Sequence, residues 1–322
     1  MSEAVSPAPG DTLGSVGELA VLARIFPRLP AAASALLGPG DDAAVVTAPD
    51  SRVVITTDMM IHGPDFRLAW SSASDLGFKA AASNLADIAA MGAVPTALVV
   101  ALAAPADTTV AFLEEFADGL REGCNALAAG VGVVGGDLSA SDTLTIAVTA
   151  LGDLEGRAPV TRSAARVGDV VAVSGPLGAA AEGLRLLFQL GEPDAATAAA
   201  LKLTHPDQVA AQLRPRPPIA DVKAAALAGA TAMLDLSDSL SLDAARLARA
   251  SGVAIEFAGV SVPELTGGED HSLLATFPVG ATLPGGFRAI GTVVAGHGVF
   301  ADGARFEPRG WDPYSGWDGA GG

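Results

Sequence analysis

Apolar positions along this chain change period several times, and each change marks an element. Leu19, Leu22, Ala23 and Phe26 recur at helical spacing before Pro27 and Pro30, which predicts a first helix. Two short apolar runs, Ala43–Val46 and Val53–Ile55, flank a Pro49-Asp50-Ser51 turn and read as a hairpin. Ser71, Ser72 and Ser74 are N-cap candidates for a long helix from about Asp75 to Met91, with Ala80, Ala81, Leu85, Ile88 and Ala89 as its apolar stripe. Gly92 and Pro95 stop it. Thr96–Ala103 is nearly continuous in apolar residues, as a strand buried on both faces would be. A second long helix over Thr109–Ala129 leads to a strand, Val131–Val134, that ends in Gly135-Gly136-Asp137. Thr143–Leu151 then alternates apolar with polar and completes a sheet.

Residues 153–168, punctuated by Gly156, Pro159 and Gly168, read as a connector into a second unit. There Val170–Val173 is a strand, and Ser174-Gly175-Pro176-Leu177-Gly178 turns into a helix over Ala179–Leu190. A glycine turn at a helix N-terminus is a candidate anion site, although this one lacks P-loop spacing. Residues 191–218 and Ile219–Leu227 are helical, Ala232–Leu236 is a strand and Leu240–Ala250 a helix. From Asp302 the chain looks turn-like, with Trp311, Tyr314 and Trp317 among glycines. The fold class is α/β with mixed sheets in two domains, over residues 15–155 and 156–314, between flexible ends at 1–14 and 315–322.

Composition narrows the chemistry. The net charge is −17 and the only lysines are Lys79, Lys202 and Lys223, which argues against a nucleic-acid partner. The single cysteine, Cys124, excludes an intramolecular disulfide and a multi-cysteine zinc cage. No apolar run approaches the ~20 residues of a membrane span, and no basic-then-apolar leader is visible. A soluble cytoplasmic protein with no membrane partner is expected. So acidic a surface repels phosphates unless cations or a local arginine bridge them.

Carboxylates carry the candidate chemistry. Paired as a hairpin, the two early runs would bring Asp41 and Asp42 near Thr56, Thr57 and Asp58. Like charges about 4 Å apart repel by roughly 4 kcal/mol at an effective dielectric of 20, so the group calls for a cation or protons. Threonine hydroxyls add the hard oxygen ligands that Mg²⁺ prefers. Asn84 and Asp87, three apart on the long helix, share a face. Asp235 and Asp238 repeat the acidic strand end, and Gly267-Gly268-Glu269-Asp270 is a turn with two carboxylates. For any one aspartate of the early cluster a solvated turn is the better reading, and Asp235 or Asp238 alone could be a plain helix cap; the group as a whole points to metal.

Taken in order, these motifs resemble the thiamine-monophosphate kinase family of the aminoimidazole-ribonucleotide-synthetase-like superfamily. They are Gly-Asp-Asp-Ala-Ala (40–44), Thr-Thr-Asp (56–58), Asp-Leu-Gly-Phe-Lys (75–79) and Asn-Leu-Ala-Asp-Ile-Ala-Ala-Met-Gly-Ala (84–93). Gly-Gly-Asp (135–137), Thr-Arg-Ser (161–163), Val-Gly-Asp (167–169), Asp-Leu-Ser-Asp-Ser-Leu (235–240) and Gly-Gly-Glu-Asp (267–270) follow. The set spans about residues 14 to 314. The resemblance implies transfer of the γ-phosphate of ATP to thiamine monophosphate, assisted by several Mg²⁺ ions. It implies Asp42, Thr56, Thr57, Asp58, Asp87, Asp137, Asp235 and Asp238 as metal ligands. It places Gly136, Asp137, Arg162 and Ser237 on ATP, and Asp65, Glu269 and Trp311 on the acceptor. No general base is implied. It further implies a homodimer in which the N-terminal sheets join, with ATP near that junction, and a C-terminal α/β domain. Three positions depart from the family pattern: Asp65 where histidine is frequent, Ser239 where glycine is usual, and His271-Ser272-Leu273 where Tyr-Glu-Leu is common. Two alternatives stand beside this reading: a synthetase of the same superfamily acting on a purine precursor, or a non-catalytic metal-binding relative.

Overall fold

The computed structural model describes residues 10–39, 43–188 and 195–311. In chain order the first unit runs α1 (Leu13–Val16), α2 (Glu18–Ile25), β1 (Ala35–Leu37), β2 (Val45–Val46), β3 (Val54–Ile61), α3 (Ala73–Ala90) and β4 (Val94–Ala104). It closes with α4 (Val110–Leu127), β5 (Gly132–Ala140) and β6 (Thr145–Asp153). The second has β7 (Val170–Ser174), α5 (Ala179–Phe188), α6 (Ala195–Thr204), α7 (Pro206–Leu213), α8 (Val222–Leu227), β8 (Ala232–Leu236) and α9 (Leu240–Ser251). After β9 (Ala254–Phe257) and α10 (Val262–Thr266) come β10 (Ser272–Phe277), β11 (Phe287–Val294), β12 (Gly298–Ala301) and β13 (Ala304–Phe306).

A four-stranded sheet of order β3-β6-β4-β5 organises the first unit, and a seven-stranded sheet of order β13-β12-β9-β11-β7-β10-β8 the second. Pairing is antiparallel except between β4 and β5 and between β9 and β12. Helix α3 is the spine. All its residues except Ser74 and Asp87 are buried, as an alanine-rich helix with no wide polar face must be. Ser72 caps it in a box with Asp75. Gly77 and Gly119 let α3 and α4 touch backbone to backbone: a Cβ on either would collide with the carbonyl of Phe116 or Ser74. On its other sides α3 meets the first sheet, and β8 and β10 of the second. One core therefore runs from Leu85 and Ile88 to Met233, Leu273 and Phe277. The far face of the seven-stranded sheet packs Val171, Leu234, Ile255 and Phe257 against Leu247 of α9.

Several expectations change. Val53–Ile55 does not pair with Ala43–Val46: β2 pairs with β1, whereas β3 runs on to Ile61 and pairs with β6. A longer antiparallel ladder beside a buried strand outweighs the local turn signal. Asp58 consequently sits within β3, and Asp137 within β5, which runs on to Ala140 along β4. Strand β6 lies inside the sheet, and β4 is fully buried only where it faces the helices. In α2 it is Val21 that is buried, while Leu19 is exposed. Of the loose start expected over residues 1–14, residues 1–9 lie outside the described residues, and Leu13 and Gly14 are held in place, donating to the carbonyls of Thr108 and Ala106. Beyond Asp302 the chain forms β13 on β12 rather than turns alone.

Candidate functional site

Register fixes which side chains share a face. Asp58 pairs with Val148, Val148 with Val100, and Val100 with Gly136. Thr56, Asp58 and Met60 therefore point to the helix side and Ile55, Thr57, Met59 and Ile61 to the other. On the helix side the Thr56 hydroxyl donates to the Asp87 carboxylate at 2.9 Å, and the Asp58 N–H donates to the Asn84 side chain at 3.2 Å. Strand β8 approaches from the second sheet with Asp235, whose carboxylate lies 3.4 Å from Nδ1 of His271. Asp58 feels the charges of Asp235, Glu269 and Asp238, and Asp87 those of Asp235 and Asp58.

The electrostatics follow. Burial, then the charges of Asp235 and Asp58, push Asp87 up to about 7. Loss of surrounding water, more than the charge of any neighbour, also raises Asp58; nearby His271 works against the rise. Burial alone would lower His271, but the hydrogen bond to Asp235 and the charges of Glu269 and Asp235 raise it on balance. Among the described residues no three such groups close into a ready metal cage. Mg²⁺ seldom asks for one: it takes one or two protein carboxylates and completes its shell with water and phosphate. The acidic, proton-attracting character of this corner fits that ion.

Two cavities meet beside it. One, of about 550 Å³, is lined by Asp58, Ser83, Ser237, Asp238, Arg246 and His271. The other, of about 420 Å³, is walled by Phe66, Trp70, Leu184, Phe188 and Leu213. Asp65, Lys79, Glu269 and Trp311 line both. They form the throat between an acidic chamber and an aromatic one. In the aromatic wall Trp70 and Phe188 meet edge to face at 4.9 Å, and the Arg67 guanidinium lies 5.0 Å from both rings. At the throat Lys79 is ion-paired with Glu269. Burial raises the Asp65 carboxylate, and the charge of Glu269 adds to the rise.

The turn that carries Glu269 is held in an uncommon conformation. Glu269 and His271 have φ of +69° and +50°, a region that disfavours side-chain-bearing residues. Their N–H groups donate to Ser237 and Leu236, and between them Asp270 accepts from Gly178 at 2.5 Å and Ala180 at 2.8 Å. The glycine turn at 174–178 thus has its anion already, and it is the protein's own carboxylate. No phosphate site exists there. The Asp235-to-Ser239 turn is held in a similar way: Asp243 accepts from the N–H groups of Asp238 and Ser239 and pairs with Arg246.

The remaining site expectations divide. Asp42, with Gly40 and Asp41, lies outside the described residues. Thr57, Gly136 and Asp137 are not brought to the chamber. Asp137 points to the opposite face from Asp58 and is three ladders away, about 14 Å at the usual strand spacing. Gly136 and Asp137 instead line a cavity of about 90 Å³ beside α2 and α4. Arg162 is exposed on the connector and, among the described residues, lines none of these cavities; its backbone carbonyl accepts from the Ser251 hydroxyl. Asp238 is paired with Arg246 at 2.6 Å. Sequence reasoning missed Lys79, though a lone lysine inside the apolar run 76–82 was a signal. It also missed the aromatic wall, whose parts come from 66–70 and 188.

Comparison with known proteins decides the family. Residues 40–154 match the family model described as AIR synthase related protein, N-terminal domain. The thiamine-monophosphate kinase of Mycobacterium tuberculosis is 42% identical over 327 aligned residues, covering 95% of this chain and 92% of that protein. The chain belongs to the thiamine-monophosphate kinase family. Its fold matches the solved thiamine monophosphate kinase of Aquifex aeolicus at a TM-score of 0.70 and 34% identity, over 81% of this chain and 91% of that one. A structure of AaThiL complexed with AMPPCP and TMP matches at 0.71 and 34%, over 84% and 90%.

Proposed function

We infer that the chain moves the γ-phosphate of ATP onto thiamine monophosphate, giving thiamine diphosphate and ADP. The observation that carries this reading is the pair of joined cavities, one aromatic and one acidic, with a charged throat between them. A thiamine-like ring suits the wall of Phe66, Trp70 and Phe188, and a phosphate passing the throat enters the chamber of Asp58 and Asp238, with Asp235 behind His271. An acceptor oxygen attacks the γ-phosphorus as its bond to the β,γ-bridging oxygen breaks, and ADP leaves. A phosphate monoester has its second pKa near 6, so at neutral pH the attacking oxygen is already charged and needs no general base. Bound Mg²⁺ would supply the charge neutralisation that phosphoryl transfer requires. Thr56, Asp58, Asp87 and Asp235 would hold it, with Asp238 free to join if Arg246 moves to a phosphate.

Asp137 and Thr57 enter this reading only in a homodimer. Supporting a second copy on the outer sheet face is its exposed apolar surface: Ile55 is 66% and Met59 58% exposed, beside Ile61. Monomeric proteins rarely leave such a patch uncovered. Joined face to face, two sheets would bring Asp137 and Thr57 to the interface, where ATP could bridge the copies. The assay is direct: purified protein with ATP, Mg²⁺ and thiamine monophosphate should form thiamine diphosphate and ADP in equal amounts. Failure to form thiamine diphosphate above background would end the reading.

A further inference from the structure

Lys79 is the only lysine buried among the described residues, 5% exposed on α3. Burying an ammonium is costly, and a purely structural ion pair is often matched by apolar residues of similar volume. What sets this one apart is its place. Among the described residues Lys79 is the only basic one lining both cavities. On α3 it begins the row Lys79, Ser83 and Asp87, spaced four apart on one helix face. At 1.5 Å rise per residue that row extends about 12 Å, from the throat to the carboxylate cluster.

An ammonium has three N–H donors. One faces Glu269. Gln212 can accept a second at 3.3 Å, with its amide turned to donate to Ala180. The third has no protein partner among the described residues. Asp65 and Glu269 make the throat acidic, so a phosphate ester threading it passes two carboxylates before reaching the chamber. A cation at that point is what such a ligand needs.

We propose that Lys79 grips the phosphate of the acceptor at the throat, donating its open N–H to a non-bridging phosphate oxygen while Glu269 and Gln212 orient the ammonium. This rests on the reading of the acceptor as thiamine monophosphate. It makes Lys79 the residue by which the site distinguishes the phosphorylated acceptor from its phosphate-free alcohol.

The test compares the affinities of thiamine monophosphate and thiamine by calorimetry in wild type, Lys79→Met and Lys79→Arg, with KM and kcat measured alongside. Loss of a charge-assisted hydrogen bond should weaken thiamine monophosphate roughly 10- to 100-fold in Lys79→Met, and raise its KM alike, while thiamine stays within about twofold. Lys79→Arg, which keeps the charge and the fold, should lose less for thiamine monophosphate and nothing for thiamine. It carries the comparison if Lys79→Met does not fold. Equal losses for both ligands, or none for thiamine monophosphate, would overturn the proposal. The kinase reading fails separately, if wild type forms no thiamine diphosphate, because the affinity comparison needs no turnover.

Discussion

Replacing Asp87 by Asn should make the ligand-free protein more stable while removing its activity. Asp87 is charged at pH 8 in both folded and unfolded chains, but in the fold its pKa is about 7 rather than 3.8. At about 1.4 kcal/mol per pKa unit, that rise corresponds to about 4 kcal/mol against folding. Part of it is repulsion shared with Asp235 and Asp58, which relaxes when any one charge goes. The amide should therefore recover about 1–3 kcal/mol, for a group that is only partly buried. An asparagine oxygen can still accept from Thr56, so the local geometry need not change. The sign with pH is fixed. A raised carboxylate pKa leaves stability intact below the unfolded value near 4 and removes it as pH rises through about 7. The gap between Asp87→Asn and wild type should thus be near zero at pH 4, open between pH 4 and 7, and stay constant above. Thermal melts with chelator at pH 5, 6.5 and 8 would read it, as a gain of about 2–6 °C at pH 8. Adding Mg²⁺ and ATP should raise the melting temperature of wild type and much less that of the variant. A variant less stable than wild type at pH 8, or a gap independent of pH, would show that the cluster is not held under repulsion.

Three further outcomes follow from the same geometry. Asp58→Asn should keep its fold and lose roughly 10²- to 10³-fold in kcat, read by coupled ADP release; near-normal turnover would remove Asp58 from the charge-stabilising set. Met59→Glu with Ile55→Glu should turn a dimer into a monomer in sedimentation equilibrium, and a wild-type monomer would contradict the sheet-to-sheet interface. Asp270→Ala should cost roughly 2–3 kcal/mol in urea unfolding, because two backbone N–H groups at the start of α5 lose their acceptor; an unchanged midpoint would mean that the cap is dispensable.

How far the sequence could be read depended on whether each signal was local. Helix α3 was legible because its cap, its alanine stripe and the stop at Gly92 all lie within twenty residues. The polar pair Asn84 and Asp87 was legible for the same reason: helical spacing alone puts them on one face. The partner of β3 was not. The Pro49-Asp50-Ser51 turn favours a hairpin, whereas the actual partner β6 lies some ninety residues on, and only the burial of Ile146, Val148 and Ala150 under α3 selects it. That one misreading carried the site with it. A strand placed beside residues 43–46 puts Asp58 at an edge among acidic neighbours. Placed beside β6, it sets Asp58 and Asp137 on opposite faces of one sheet, and the chamber is completed by Asp238 and the Glu269 turn from the second unit. The glycine turn at 174–178 misled in the opposite direction. Its amides do bind an anion, but that anion comes from Asp270, about ninety residues later, where a spacing rule has no reach. Residue types told what chemistry the chain could support. Which of those residues meet was decided by long-range pairing, and that is why Lys79, silent in a helix of alanines, stands at the throat where the two halves of the site join.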